Sequence, residues 1–155
     1  MTHFQIRPIA QETVAAAEAR LAAGDPSVIE RIIEEEGGQP CRLTLAEAPK
    51  GSRVLLFRHR PFAGDGPYAE EGPIFARTDA GAASLAANEV PAFIAAREIV
   101  MVRRYDRAGA IAGGELVAGA DVAKTIAARL SDDAIEFVHL RSAHYGCFLC
   151  EARLA

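Results

Sequence analysis

The sequence predicts an α+β fold, with helices at the N-terminus followed by a curled, antiparallel-rich sheet whose extreme form is a partial barrel. Three observations predict it. Helical apolar spacing is confined mainly to the first part of the chain. From Pro40 onward the pattern changes to short β-like runs joined by turn residues. The alternating βαβ rhythm of a doubly wound fold is absent, so the strands must pair largely through hairpins. At 155 residues, a single domain spanning 1–155 is the natural reading.

Gln11 to Ala23 places Val14, Ala17 and Leu21 at helical spacing, and Gly24 can close the helix. Asp25 can cap a second helix, with Pro26 in its first turn and Val28, Ile29, Ile32 and Ile33 as one apolar stripe. Gly37-Gly38 ends it, and Glu34, Glu35 and Glu36 read as a solvated face. Cys41 to Leu45 and Arg53 to Arg60, separated by the turn Pro49-Lys50-Gly51, read as a hairpin. Pro61 to Pro73 is a long loop rich in Gly and Pro, and Ile74 to Arg77 a short strand. Ala82 to Ala96 is partly helical, bounded by Pro91. Arg97 to Tyr105 is a strand, which Asp106-Arg107-Ala108-Gly109 turns into Ala110 to Val117. Val122, Ile126 and Leu130 mark a third helix with Asp121 as its cap, and Glu136 to Arg141 and Cys147 to Leu154 are the last strands.

Composition narrows the function classes. Half of the residues are hydrophobic and 25% are charged, as in a globular protein. No apolar run approaches the roughly 18 residues of a membrane span. The start, Met1-Thr2-His3-Phe4-Gln5-Ile6-Arg7-Pro8, lacks the pattern of a secretory signal, so a cytoplasmic location with reduced thiols is expected. Net charge is −4, poor material for nucleic-acid binding. Of 17 basic residues only Lys50 and Lys124 are lysines. That bias fits base composition, but local arginine clusters still have the geometry for carboxylate or phosphate.

Signatures for nucleotide loops, nucleophile elbows and helical zinc sites are missing. Cys147-Phe148-Leu149-Cys150 is a C-x-x-C, but its surroundings read as a strand, where residues three apart point to opposite faces. Packing as small apolar residues outweighs a redox pair, or a zinc site with His144 and Cys41. The expectation is therefore no metal, no cofactor and no Cys147–Cys150 disulfide.

The informative positions are the strand ends. Arg58 and Arg60 share one face of an otherwise apolar strand, and Arg103-Arg104-Tyr105 repeats the theme. Phe137, His139 and Arg141 share a face of the late strand, followed by His144 and Cys147. An isolated histidine is ordinarily a satisfied core residue. Here His139 and Cys147 have the chemical types for proton transfer and nucleophilic attack.

Pro40-Cys41-Arg42, Arg60-Pro61-Phe62, Gly66-Pro67-Tyr68-Ala69-Glu70, Gly72-Pro73-Ile74-Phe75, Arg103-x-Tyr105 and His139-x-Arg141-x-Ala143-x-Tyr145-Gly146-Cys147 carry a resemblance. From Pro40 onward the chain resembles a bacterial family of similar length, the domain of unknown function DUF1203. The resemblance implies a small, stand-alone bacterial protein with no assigned reaction, and it carries over no catalytic residues. Cys150 is outside the shared pattern.

Two functions compete at this level. The first is a small-molecule enzyme or binder, with catalysis itself left open. In it Arg58, Arg60, Tyr68, Glu70, Arg141 and His144 hold a carboxylate or phosphate beside His139 and Cys147. It expects Arg60, Tyr68, Glu70, His139 and Arg141 to converge on one pocket under the loop. The second is a non-catalytic interaction module that forms a homodimer through a sheet edge. A convergent pocket favours the first, and a flat symmetric contact the second.

Overall fold

The computed structural model describes residues 1–155. In chain order it contains β1 (Phe4–Arg7), α1 (Gln11–Ala22), β2 (Ile29–Ile32), β3 (Pro40–Cys41) and β4 (Ala46–Glu47). Next come β5 (Arg53–His59), β6 (Gly72–Arg77), α2 (Ala92–Ala95), β7 (Val100–Tyr105) and β8 (Ile111–Val117). The chain ends with α3 (Val122–Leu130), β9 (Phe137–Ser142) and β10 (Phe148–Leu154). No helix is long and apolar enough to cross a membrane.

Alternation in the C-terminal half builds a first, wholly antiparallel sheet in the order β1-β10-β9-β7-β8. Val100 and Val102 of β7, with Val138 and Leu140 of β9, face one way. They meet Val122, Ile126 and Leu130, the apolar stripe of α3. Each such buried side chain is worth about 1.5–3 kcal/mol of transfer free energy. The other face of the same strands carries Met101, Arg103, Phe137, His139 and Arg141, in register as Arg103↔His139 and Met101↔Arg141. This second face builds the candidate site.

Two turns close the hairpins on either side of the β7–β9 pair. Asp106 accepts from the amides of Ala108 and Ala110, both at 2.9 Å, before β8. Between β9 and β10 the Ser142 amide donates to the Cys147 carbonyl at 2.9 Å, and Gly146 takes a positive φ of 73°. Only glycine adopts that conformation without strain.

The second sheet has the order β2-β5-β6-β3-β4, antiparallel except for β3 beside β6. Val14 and Ala17 of α1 cover Leu55, Phe57, Ile74 and Ala76 on one of its faces. Phe148 from the first sheet belongs to the same cluster. Arg42 also joins the sheets. Its buried guanidinium donates to the Phe148 carbonyl at 2.8 Å and to the Pro40 carbonyl at 2.6 Å.

The α+β class holds in its coarse form, with strand predominating and no closed barrel. Several expected elements differ. The N-terminal part holds one helix before β2. The segment after Asp25 is the edge strand β2, paired as Ile29↔Leu56 to Ile32↔Arg53. Asp25 bonds the Ser27 hydroxyl at 2.7 Å and amide at 2.8 Å, and accepts from Arg20 Nε at 2.9 Å. It thus shapes a turn. Val28 and Ile33 are buried while Ile29 and Ile32 are exposed, which breaks the helical stripe. The hairpin expected from Cys41 to Arg60 is also absent. β5 pairs with β2 and β6, and the chain turns straight after Cys41, with the Leu45 amide returning to the Cys41 carbonyl at 2.9 Å. Asp121 makes no side-chain cap, because a 3-10 turn at Gly119–Asp121 leads into α3.

Candidate functional site

The exposed turn after β9 and the loop joining β5 to β6 enclose a cleft of about 160 Å³. His59, Glu70, Arg141, Tyr145, Cys147 and Phe148 are in its wall. Arg141 is almost fully buried. Its Nη1 donates to the Gly146 carbonyl at 3.0 Å, so the turn itself holds the guanidinium. Its Nη2 lies 3.0 Å from Glu70 Oε1. Arg103, one strand away on the same face, brings Nη1 within 2.6 Å of that same oxygen. Two arginines thus converge on one carboxylate, and the Arg141 Nε has no partner.

The arginines differ in surroundings. Burial works against the charge of Arg103. The Tyr105 hydroxyl and Glu70 outweigh that effect and raise its pKa. Arg103 Nη2 also points to the Met101 sulfur at 3.7 Å. Two guanidinium groups so close together, one buried and one partly exposed, favour an anion between them.

His139 lies beneath this pair and is fully buried. The rings of Tyr105, Phe148, Phe62 and Phe137 surround it at 4.8, 4.9, 5.0 and 5.1 Å between centroids. Burial, aided by nearby Arg141 and Arg103, lowers its pKa despite Glu151. Its Nε2 is 3.4 Å from Glu151 Oε2, and its Nδ1 is 3.5 Å from Arg141 Nη2. The Nε2 contact lacks hydrogen-bond alignment. Glu151 is pushed up by burial, but the nearby His139 ring and its bond with Arg153 bring it below the ordinary carboxylate range. His139 therefore stands as a neutral ring that supports Arg141 from below, without reaching the cleft. His59, which does reach it, is likewise lowered by burial first and by His139 and Arg42 next.

Of the residues singled out in the sequence, Glu70, Arg141 and Cys147 share the cleft, with His139 directly behind. The others lie elsewhere. Arg60 turns back on its own loop, bonding the Gly64 carbonyl and pairing with Asp65. Arg58 is exposed and sits 3.4 Å from Glu71. Tyr68 and His144 are exposed on their loops and outside the cleft wall. The full convergence of Arg60 and Tyr68 with Glu70 does not occur: Arg60 is paired with Asp65 within the loop, and Tyr68 lies outside the cleft wall. Cys150 is buried in the core of the first sheet while Cys147 opens to the cleft, so the two thiols diverge.

Arg103 was not among the expected site residues, although its face was readable. Met101, Arg103 and Tyr105 alternate just as Phe137, His139 and Arg141 do, and pairing β7 with β9 brings the two arginines together. Arg42 left no such signal, since its burial comes from contacts with residues far along the chain.

A roomier groove of about 270 Å³ lies beyond Phe62, with Arg107, Phe137 and Arg153 in its wall. No buried charge faces it, whereas the nearly fully buried Arg141 lines the first cleft.

A family model described as "Protein of unknown function (DUF1203)" matches residues 38–153. No curated protein and no solved structure matches the chain.

Proposed function

The chain belongs to the DUF1203 family, and from the geometry of its cleft we propose that it binds a small anionic molecule through Arg141 and Arg103. One observation carries the reading: two guanidiniums from neighbouring strands meet at a single carboxylate oxygen beside an open cleft. A volume of about 160 Å³ suits a few heavy atoms and not a nucleotide. Cys147, in the same wall, is the nucleophile for any reaction on the bound molecule, and His139 acts through Arg141 as a positioning residue.

Calorimetry with a panel of small carboxylates and inorganic phosphate tests this. The wild type should bind at least one of them, and Arg141→Ala, checked for native fold by circular dichroism, should lose that binding. No binding by the folded wild type, or equal binding by the folded variant, overturns the reading.

A second reading, self-association through a sheet edge, has one observation in its favour. β8 is an edge strand with Ile111 and Leu116 exposed and Glu115 as its single charge. Sedimentation of Leu116→Lys against the wild type separates the two readings. A dimer lost on this substitution supports self-association, and a wild-type monomer at all concentrations rejects it.

A further inference from the structure

The loop that carries Glu70 is attached differently from the rest of the chain. Between Arg60 and Glu71 the main chain makes hydrogen bonds only within the loop, from Ala69 to Gly66 at 3.0 Å and from Glu70 to Tyr68 at 2.9 Å. Arg60 is spent on Gly64 and Asp65 inside the same loop. Side chains alone tie the segment to the body. Phe62 packs among Tyr105, Phe137 and His139 at one end. Glu70 and Glu71 hold the other, and the Arg58–Glu71 pair is exposed and weak. Glu70 is therefore the main latch, yet its side chain is half exposed while Arg141 beneath it is 5% exposed. A half-exposed carboxylate sits on a cationic fork whose Arg141 arm is buried and held by the Gly146 carbonyl.

We propose that Glu70 is an internal stand-in for the ligand: the Arg103–Arg141 fork is a carboxylate-recognition site that the chain's own Glu70 occupies until an external carboxylate displaces it and releases residues 64–71. This rests on the anion-binding reading of the same cleft, and it adds the ligand class and the gate. The ligand class follows from the template. The fork is already set for one sp² carboxylate oxygen shared between two Nη atoms, at 2.6 and 3.0 Å. The unpartnered Nε of Arg141 leaves one further donor that Glu70 does not satisfy. The gate follows from competition. A site closed by its own side chain binds with an affinity reduced by the fraction open, so a tenfold preference for the latched form weakens apparent affinity about tenfold.

The test compares wild type with Glu70→Gln, which keeps the size of the side chain and removes its charge. Glutarate and propionate serve as carboxylate probes, and inorganic phosphate as the competing chemistry. Without ligand, Glu70→Gln should melt below wild type, because two cations lose their counter-ion. With glutarate it should regain more thermal stability than wild type does, and calorimetry should show at least about tenfold tighter binding. In wild type, glutarate should speed amide exchange in residues 64–71. Equal or weaker carboxylate binding by the folded Glu70→Gln variant overturns the stand-in and leaves the anion site intact. Tighter binding of phosphate than of either carboxylate overturns the ligand class. Absence of binding to both proteins overturns the stand-in together with the anion reading.

Discussion

At the scale of single residues, the three cysteines have three fates. Cys41 is fully buried and its sulfur accepts from the amides of Thr44 at 3.3 Å and Arg77 at 3.2 Å. Cys150 lies in the core, where burial pushes its thiol up. Cys147 opens to the cleft. The native protein should take up one equivalent of iodoacetamide rapidly, at Cys147, and Cys147→Ser should take up none on that timescale. Equal labelling of two cysteines by mass spectrometry would contradict this placement. The histidines set the acid response. His139 and His59 titrate below the ordinary value of 6.5 in the fold and near it when unfolded. Between those limits the unfolded chain binds more protons, so stability rises with pH there and is lost as pH falls from about 6.5 towards the native values. Glu151 acts in the same direction but only below the ordinary carboxylate range. His139→Gln should therefore show a smaller drop in melting temperature between about pH 7 and 5.5 than wild type. At this scale the sequence was partly legible. His139 and Arg141 were readable because a strand's alternation states which side chains share a face. Arg60 and Tyr68 were not, because nothing in a Gly- and Pro-rich loop states which way each side chain turns.

At the scale of elements, β2 shows where local pattern loses to distant pairing. Val28, Ile29, Ile32 and Ile33 satisfy a helical stripe, yet all four are β-branched, and β5 offers an unpaired edge that no local window contains. α3 was legible because its stripe and its sheet contacts agree: Val122, Ile126 and Leu130 are all buried. Its entry was not, since the 3-10 turn depends on a close approach. A Cβ on Gly119 would lie 2.5 Å from the carbonyl oxygens of Arg97 and Ile94 and 2.6 Å from that of Ala95. These are main-chain atoms that cannot rotate away. Gly119→Ala should cost about 1–3 kcal/mol or more in chemical denaturation. Gly114→Ala serves as the control, because its Cβ would meet only the Val102 carbonyl oxygen at an ordinary 3.7 Å. Equal stability of the two variants would refute the tight entry to α3.

At the scale of the whole molecule, two sheets with separate apolar clusters must behave as one body for the cleft to exist. The cleft draws His59 and Glu70 from around the second sheet and Arg141 and Cys147 from the first, so relative movement would pull it apart. Three contacts oppose that movement. Phe148, on β10, is buried in the cluster of the second sheet. Arg42 bonds across to the Phe148 carbonyl, and the Ile9 amide returns to the Arg42 carbonyl at 3.1 Å. Burial pushes Arg42 down to about 10, so it remains charged at neutral pH and its bonds are charge-assisted. Removing the guanidinium leaves two buried carbonyls, of Phe148 and Pro40, without their donor. Each orphaned group costs about 1–3 kcal/mol, and methionine restores only the volume of the stem. Wild type should therefore unfold in one transition, with circular dichroism and calorimetry superimposing. Arg42→Met should unfold at a lower denaturant concentration, by about 2–5 kcal/mol, still in one transition. Two resolved transitions in wild type would mean that the sheets are independent units. A variant as stable as wild type would mean that the Arg42 guanidinium is not needed to join them. If instead the variant loses stability and also loses anion binding while folded, Arg42 sets the spacing of the cleft as well as the union of the sheets.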